Sequence, residues 1–412
     1  MKIFRPIILF FLFYTTSLAD AGGAKDHSVS LLSKGRYVSI IKDSNSFIVS
    51  QNYNSTHGRK VNFYDNNFDL IKSISSPTPN PGDDFGYSIS VDRSLMAIGA
   101  PGDYNGMGSV YIYEKKLNNW EFRNKINYPG NSSDISTSFG KHVIIKNNFL
   151  VISAPDEHNG KVYIYKFDNN NNLFKLFNTL HPTHNHNNHS NRSSFLDPEA
   201  KINYSFGIDF DIDINDNILI GSANNSVFYF NLNDISDDFM LENYEIPYHH
   251  SHTYEYNHFF GYSVKIGEKY LYIGSLGCDD GSGKVRFIEK DNFNQFIDVS
   301  PSEKILNTHF GFNFEENDNF LFISSFNNSN IYTLEKNDDG DFSFDSLIEL
   351  NLNIQNNLSA RNIILGDNDN IYIDDYYNDR IVEFSIDNLS FKNSYQINSS
   401  STKSLGYNEC VN

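Results

Sequence analysis

Two histidine-rich segments are the most conspicuous candidates for metal chemistry. One runs from His181 to His189 and the other from His249 to His258. Imidazole nitrogens are good ligands for zinc, copper or nickel. A transition-metal site built from both segments would use His184, His186, His189, His249, His250 and His252. The low complexity of these segments favours the alternative, in which they are surface insertions with incidental histidines.

A run of aspartates in the sequence DFDIDINDN is the second candidate. Its carboxylates belong to Asp209, Asp211, Asp213 and Asp216. Side chains alternate along a strand, so the first three are expected on one face. Calcium binds oxygen ligands of this kind, but the pattern favours a polar face that lines a solvated channel. Alternatively, Asp209 and Asp211 are an acid and a base, because glycan cleavage needs two carboxylates at a controlled separation.

Properties of the whole chain exclude several classes of function. The formal net charge is −19, and so acidic a surface repels phosphate backbones, so nucleic-acid binding is not expected. The sequence has no G-x-S-x-G motif, no H-E-x-x-H motif and no phosphate-binding glycine loop. No recognised enzyme motif is therefore present.

The candidate residues lie within a repeated pattern. Residues 85–113, FGYSISVDRSLMAIGAPGDYNGMGSVYIY, return in weaker form along the chain. Phe-Gly pairs or their weaker counterparts mark seven copies, whose second residues are Gly35, Gly86, Gly140, Gly207, Gly261, Gly311 and Arg361. These markers are 50 to 54 residues apart, except for one step of 67. A period of this length is typical of propeller blades.

Each copy predicts a small antiparallel sheet. A short apolar second strand is followed by a third strand, and a polar or aromatic fourth strand fits before the next copy. The third strands are predicted to start at Val61, Val110, Val162, Val227, Val285, Ile331 and Ile381. Four strands cannot bury both faces alone, whereas sheets stacked around an axis can. The predicted fold is therefore all-β, a seven-bladed β-propeller of four-stranded antiparallel blades.

The order Phe-Gly, Gly-Ala-Pro and Gly-Ser-Val-Tyr resembles the FG-GAP repeat family, whose propeller forms the head of integrin α subunits. The motif is complete at Phe85–Tyr113 and nearly complete at Phe139–Tyr165, and the resemblance covers residues 30–397. Calcium-binding members carry an Asp-rich loop between the first and second strands. Only 14 residues separate Phe85 from Gly99, which leaves no room for that loop. We therefore expect tight hairpins, no calcium and no cofactor, with a transition metal at the histidine-rich segments as the alternative.

The resemblance also implies which face binds a ligand. Turns between second and third strands share one rim with the connections between blades, which include both histidine-rich segments. The predicted ligand residues of this rim are Asp103, Tyr104, Asp156, His158, Asp279 and Asp280. For each carboxylate taken alone, a local turn role is the alternative, because Asp favours turns through hydrogen bonds to its own backbone.

The N-terminus has the features of a cleaved secretory signal, predicted over residues 1–19. Lys2 and Arg5 precede an apolar run from Ile7 to Tyr14, and small residues follow near Ala19. That run is far shorter than the roughly 20 residues that span a bilayer. The chain is therefore predicted to be secreted, without a membrane span after cleavage.

The predicted propeller occupies residues 28–397, followed by a tail over residues 398–412. Two segments compete for the outer position of the last blade, Ser28–Ser33 and Leu389–Ile397. We expect Ser28–Ser33 to take it, because this would join both ends of the propeller in one blade.

Export would place both cysteines in an oxidising compartment. Cys278 lies in a rim turn, and the chain from Ile397 to Cys410 can reach up to ~40 Å, so a Cys278–Cys410 disulfide and two free thiols are both possible. Ten glycosylation sequons are also present, about as many as chance produces in a chain this rich in Asn and Ser. They lie at Asn54, Asn131, Asn188, Asn191, Asn203, Asn224, Asn327, Asn357, Asn388 and Asn398.

These features predict an extracellular binding or adhesion module that presents propeller rim loops to a protein or glycan. The alternative is a secreted glycan-active hydrolase or lyase with an axial acidic site at Asp209 and Asp211. A third possibility is a scaffold within a larger surface assembly. The support for all three comes from the fold more than from a site.

Overall fold

The computed structural model describes residues 37–396, apart from internal gaps. The gaps are residues 44–45, 52–59, 81, 118, 131–135, 159, 183–205, 223–225, 237–238, 240, 242–244, 248–258, 327–329, 338, 345–346, 352–359, 367–369, 376–379 and 388–389. The described residues form seven antiparallel sheets of four strands each, and the strands of every sheet follow chain order. The predicted seven-bladed β-propeller is therefore confirmed.

The strands of the first four blades begin and end as follows. Blade 1 contains β1 (Tyr37–Asp43), β2 (Ser46–Gln51), β3 (Lys60–Tyr64) and β4 (Leu70–Ser75); blade 2 contains β5 (Ile89–Asp92), β6 (Leu95–Ala100), β7 (Ser109–Lys116) and β8 (Asn119–Asn127); blade 3 contains β9 (Val143–Lys146), β10 (Phe149–Ala154), β11 (Lys161–Asp168) and β12 (Leu173–Leu180); blade 4 contains β13 (Phe206–Ile212), β14 (Asn217–Ser222), β15 (Ser226–Asn231) and β16 (Glu245–Pro247).

The remaining three blades have the same arrangement. Blade 5 contains β17 (Phe260–Ile266), β18 (Tyr270–Ser275), β19 (Lys284–Glu289) and β20 (Asn292–Val299); blade 6 contains β21 (Phe310–Glu316), β22 (Phe320–Ser325), β23 (Asn330–Glu335) and β24 (Ile348–Asn351); blade 7 contains β25 (Ala360–Leu365), β26 (Asn370–Asp375), β27 (Arg380–Ser385) and β28 (Ser390–Gln396). Helical geometry is limited to the short turns Asp103–Gly106, Cys278–Gly281 and Leu232–Asp234 within the part of the chain that is described. No helix there is long and apolar enough to cross a membrane.

The hydrophobic core lies between the blades and is built mainly from their second and third strands. All six residues of β10 and of β18 are buried. The seven predicted starts of the third strands, from Val61 to Ile381, are each the second residue of a third strand and are all buried. Burying such side chains stabilises the fold by roughly 1.5–3 kcal/mol each. The outer strand β20, by contrast, exposes six of its eight residues.

The motif glycines lie where neighbouring blades touch. A Cβ atom on Gly99 would stand 1.9 Å from the carbonyl oxygen of Gly140, in the Phe-Gly pair of the next blade. A Cβ atom on Gly108 would stand 2.0 Å from the carbonyl oxygen of Phe139. Side chains of any other residue would therefore push the blades apart. Gly99 therefore permits the close approach of blades 2 and 3.

The seventh blade corrects the prediction about ring closure. Its outer strand is β28, which pairs with β27 through Arg380↔Gln396 and Ile381↔Tyr395. The Leu389–Ile397 alternative therefore supplies this strand, and the expectation that Ser28–Ser33 would take the position is wrong; those residues lie outside the described part. Blades 7 and 1 meet through aromatic packing instead, with Phe68 stacked on Tyr395 at 4.3 Å.

Candidate functional site

Polar side chains converge in a cavity on the propeller axis. Its volume is about 190 Å³, and it lies between the inner strands of blades 3 to 6. The lining residues are His142, Ile144, Asp209, Phe210, Asp211, Ser263, Val264, Lys265, Phe312, Asn313, Phe314 and Glu315. Asp209 and Asp211 thus line an axial cavity as predicted, whereas Asp213 lies in the following turn and accepts the backbone N–H groups of Asn215 and Asn217.

Asp209 and Asp211 bind the exposed edge of the next inner strand. One carboxylate oxygen of Asp209 accepts the Val264 N–H at 2.9 Å, and one oxygen of Asp211 accepts the Ile266 N–H at 2.9 Å. The remaining oxygens accept the N–H groups of Phe210 and Ile212 on β13. Both aspartates therefore satisfy backbone donors that no neighbouring strand pairs. Ser90 and Asn313 do the same for the N–H groups of Ile145 and Ile363 at two other blade junctions.

Asp209 also contacts a histidine of the preceding blade. His142 Nδ1 lies 3.2 Å from an oxygen of Asp209. Burial raises the pKa of Asp209 from 3.8 to about 7, although hydrogen bonds from Val264 and Phe210 oppose this shift. Burial also lowers the pKa of His142 from 6.5 to about 4. Between these pKa values the pair holds one proton, which resides on the aspartate side.

The opposite side of the cavity carries an ion pair between blades 5 and 6. Lys265 Nζ lies 3.1 Å from a carboxylate oxygen of Glu315. Burial lowers the pKa of Lys265, but the charges of Glu315 and Asp211 outweigh it and hold the pKa above its ordinary value. Lys265 is therefore a fixed cation in the cavity wall.

The rim turn of blade 2 is anchored from beneath. Asp103 is only 1% exposed, and its carboxylate contacts Lys125 Nζ at 2.5 Å and the Tyr111 hydroxyl at 3.0 Å. Tyr104 is 50% exposed, has a φ of 49° and places its ring 4.4 Å from Lys125 Nζ. The carboxylate that the sequence proposed as a ligand thus lies beneath the surface, and the tyrosine beside it lies at the surface.

The rim turn of blade 5 has the same backbone with a different charge arrangement. Cys278 occupies the place of Asp103 and is buried, and Asp279 pairs with Lys304 at 2.9 Å. Below the turn, Arg286 binds Asp298 through two hydrogen bonds of 2.7 and 2.9 Å. The backbone of Asp280 belongs to this turn, and its side chain is outside the description.

The corresponding turn of blade 3 contains Asp156 and His158. Asp156 accepts hydrogen bonds from Ser138 and Lys141, and His158 is exposed with a φ of 54°. Glu157, between them, is buried and binds Lys161 Nζ and the Tyr163 hydroxyl at 2.6 Å each. Each of the three turns therefore places its outer residues above an internal polar contact.

Several functional candidates could not be recognised from the sequence. His142, Lys265 and Glu315 come together only because three inner strands meet at the axis. Lys125 reaches Asp103 because it lies opposite Tyr111 in the pairing of β7 with β8. The spacing between successive copies offered a signal, since Asp209 and Val264 are 55 residues apart, close to one repeat.

Many predicted residues lie outside the described part of the chain. They include the six metal-site histidines, all ten sequon asparagines and Cys410. Cys278 is buried below its turn, and its pairing with Cys410 stays a prediction. Among the described residues, no group of three or more His, Cys, Asp or Glu side chains could hold a metal ion.

Comparisons with known proteins agree with this geometry. The FG-GAP repeat model matches residues 73–113, and no curated protein matches the chain by sequence. A streptogramin B lyase is 9% identical, with a TM-score of 0.51 over 78% of this chain and 86% of that one. Kluyveromyces lactis Hsv2 is 12% identical, with a TM-score of 0.54 over 89% of this chain and 100% of that one.

A protein from Lactobacillus plantarum is 11% identical, with a TM-score of 0.52 over 86% of this chain and 96% of that one. Identities this low support a shared propeller fold and nothing about activity. The sequence match is narrower and more specific, because it spans the glycines that join blades 2 and 3. The chain therefore carries an FG-GAP repeat at residues 73–113, as its sequence predicted.

Proposed function

We propose that this protein is an extracellular binding module whose rim turns contact a protein or a glycan. The observation that carries the proposal is the exposure of the Tyr104 side chain above the contact of Lys125 with Asp103. Tyr104 has a left-handed φ, which it shares with the core residue Phe68 and with Leu117, so its exposure above a fixed contact is what distinguishes it. Tyr104 keeps this conformation while half of its surface faces solvent.

The contacts below Tyr104 support a binding role. Lys125 holds the ring from one side and is itself held by Asp103. An aromatic side chain that is already fixed loses little conformational entropy on binding, so its contact area contributes more of the binding energy. Aromatic residues of this kind are common energetic centres of protein interfaces and stack on sugars.

A second exposed apolar group lies on the same rim near blade 5. Ile305 and Leu306 are 44% and 63% exposed in the connection that contacts the Asp279 turn. Lys304, beside them, pairs with Asp279. An apolar group flanked by charged residues is the usual composition of a binding surface.

The hydrolase or lyase alternative is supported less well. Asp209 and Asp211 are the carboxylates that it would use, but both oxygens of each accept backbone N–H groups. These bonds account for the two residues without catalysis. The likeness to a streptogramin B lyase is one of fold at 9% identity, and it adds no argument for activity.

The test is a glycan array combined with capture of partners from the surface of the producing cell, using the full chain. Replacing Tyr104 by Ala or Leu306 by Ser should weaken binding of the partner so identified about tenfold. Leu117→Ala is the matched control, because Leu117 is 99% exposed with a φ of 57° in a turn on the opposite rim. Equal losses in all three variants, or no loss in the rim variants, would contradict the proposal.

A further inference from the structure

The outer edge of blades 1 to 3 is positively charged, although the whole chain has a net charge of −19. This positive edge consists of the third and fourth strands of these blades, which are β3, β4, β7, β8, β11 and β12. We propose that it binds a flexible anionic polysaccharide through lysines that lie against aromatic rings. The inference is independent of the proposed function, because it uses the outer strands of the blades and not the rim turns.

The charge of the outer strands differs between two parts of the ring. The third and fourth strands of blades 1 to 3 carry nine Lys or Arg residues and three Asp or Glu residues. The same strands of blades 4 to 6 carry two and five. Asp103 and Glu157 of the rim turns pair with two of the nine cations, and cations still outnumber carboxylates at the positive edge. Salt screens charges beyond about 8 Å, so the acidic remainder of the surface does not cancel this local attraction.

Aromatic rings orient the cations of the positive edge. Apart from Lys125, which belongs to the rim contact, each of these cations lies 5.2 to 5.5 Å from a ring centre: Lys72 at Phe63, Lys115 at Trp120, Arg123 at Phe167, and Lys166 at both Phe149 and Phe177. A ring attracts a cation through its quadrupole but does not neutralise its charge. A cation held in this way remains able to bind an acidic group.

Cations on blades 5 and 6 also lie on rings, but carboxylates neutralise them. Arg286 contacts the Phe296 ring and binds Asp298 at 2.7 Å. Lys336 lies over the Phe342 ring and binds Glu316 at 2.7 Å. Lys72 and Lys166, by contrast, form no ion pair with any residue that the structure describes. The combination of a fixed position with an unneutralised charge therefore distinguishes the positive edge.

The positive edge is continuous from blade 1 to blade 3. Lys72 Nζ on β4 lies 2.5 Å from Oδ1 of Asn119 at the start of β8. Arg123 on β8 donates to the carbonyl oxygen of Asn172, which precedes β12. The same outer strands carry exposed apolar side chains, namely Ile71, Phe122, Leu176 and Phe177. Such side chains can pack against the C–H faces of sugar rings while the cations bind acidic groups.

The shape of the positive edge favours a flexible chain over a rigid partner. The blades surround one axis, so their outer strands form a surface that curves outward. A folded protein or a flat membrane would touch mainly one blade, whereas stable protein interfaces need about 800 Å² on each side. A flexible polyanion can follow the curve and contact all three blades. In an anionic polysaccharide, sugar rings separate the acidic groups, as apolar side chains separate the cations here.

The experiment measures the binding of fluorescently labelled heparin to the full chain by anisotropy at neutral pH. We expect binding to weaken at least about tenfold between 50 and 200 mM NaCl, because contact with the cations releases counterions from the polyanion. Neutral dextran should not bind, and poly-L-glutamate, which has acidic groups without sugar rings, should bind more weakly than heparin. No binding of heparin, or equal or tighter binding of poly-L-glutamate, would overturn the proposal.

Two sets of substitutions locate the site. The edge variant combines Lys72→Gln, Lys115→Gln and Lys166→Gln. The control variant removes the same charge from blade 5 and combines Lys269→Gln, Lys284→Gln and Lys290→Gln. The edge variant should weaken heparin binding about tenfold or more, and the control variant much less. Equal weakening would show that only total charge matters and would overturn the proposal.

Thermal unfolding checks that both variants are folded. If the edge variant is not, the single substitution Lys166→Gln decides, because this side chain is exposed and its loss leaves the core unchanged. Lys166→Gln should weaken heparin binding measurably at 50 mM NaCl and reduce its salt dependence. Unchanged affinity and unchanged salt dependence in this variant would overturn the proposal.

Discussion

Beneath the rim turns of blades 2, 3 and 5 a buried charged group pairs within its own blade, whereas the charged groups of the axial cavity pair between blades. Asp103 binds Lys125 in blade 2, Glu157 binds Lys161 in blade 3 and Arg286 binds Asp298 in blade 5. At the axis, His142 of blade 3 contacts Asp209 of blade 4. Lys265 of blade 5 likewise contacts Glu315 of blade 6.

Because each of these pairs lies within one blade, the three blades can use different polar contacts beneath their rim turns. A change in a rim pair is compensated within its own sheet, so each blade can adopt its own solution. The three rim pairs indeed place their acid and base on different strands and turns. An axial side chain must suit the next blade, where it also caps backbone donors.

The largest expected effect concerns the rim pair of blade 5. Asp298→Ala should lower the free energy of unfolding by about 3 kcal/mol, because it leaves the buried guanidinium of Arg286 without its two-bond carboxylate partner. Urea unfolding measures the loss. Hydrogen exchange should accelerate in β19 and β20 and not in blades 4 and 6.

A matched surface pair sets the scale for that result. Glu121→Ala removes the partner of Lys116, where both side chains are at least half exposed, and should cost well under 1 kcal/mol. If Asp298→Ala also accelerated hydrogen exchange in blades 4 and 6, the distinction between rim and axis would be wrong.

A smaller effect tests the axial pair through pH. In the folded protein one proton resides on Asp209 with a pKa of about 7, while His142 has a pKa of about 4. In the unfolded chain His142 has its ordinary pKa of 6.5 and Asp209 its ordinary pKa of 3.8, so the proton resides on the histidine instead. Both states then bind about one proton between roughly pH 4.5 and 6, so this pair contributes almost no pH dependence there.

Single substitutions should reveal the opposing contributions of Asp209 and His142 to the pH dependence of the free energy of unfolding. In the His142→Asn variant only the raised pKa of Asp209 remains. It stabilises the folded state fully below pH 3.8, and this stabilisation is lost as the pH rises to 7. In the Asp209→Asn variant only the lowered pKa of His142 remains. It stabilises the folded state fully above pH 6.5, and this stabilisation is lost as the pH falls to 4. Relative to wild type, the free energy of unfolding should slope in opposite directions by about 1 kcal/mol per pH unit. Parallel slopes in thermal or urea unfolding would contradict the shared proton.

The sequence predicted the blades because their residues repeat locally. Val110 and its counterparts recur 20 to 26 residues after the second residue of each Phe-Gly pair or its weaker counterpart, and local alternation decides which face of a strand is buried. The closure of the ring was harder to predict from the sequence, because Leu389–Ile397 and Ser28–Ser33 both have strand character. The pairing of β28 with β27 decides between them through contacts that no local pattern contains.

The site was only partly predictable for the same reason. Asp209 and Asp211 are recognisable because they alternate along one strand. His142, Lys265 and Glu315 join them only after strands from four blades meet at the axis. At the rim, the resemblance to the FG-GAP family made Asp103 a predicted ligand, but the pairing of β7 with β8 brings Lys125 beneath it, where its carboxylate is buried.

The smallest expected effect tests whether the rim turns of blades 2 and 5 are equivalent. Asp103 and Cys278 each follow a glycine, and Tyr111 and Arg286 each lie eight residues further on. The hydroxyl of Tyr111 donates to Asp103, and the guanidinium of Arg286, a cation that donates to both oxygens of Asp298, stands in its place. Cys278→Asp should therefore cost less than about 1 kcal/mol in urea unfolding, although burying an unpaired carboxylate costs several. Cys278→Asn controls for shape without charge, and an Asp variant several kcal/mol less stable than the Asn variant would mean that the two turns share a backbone but not a charge site.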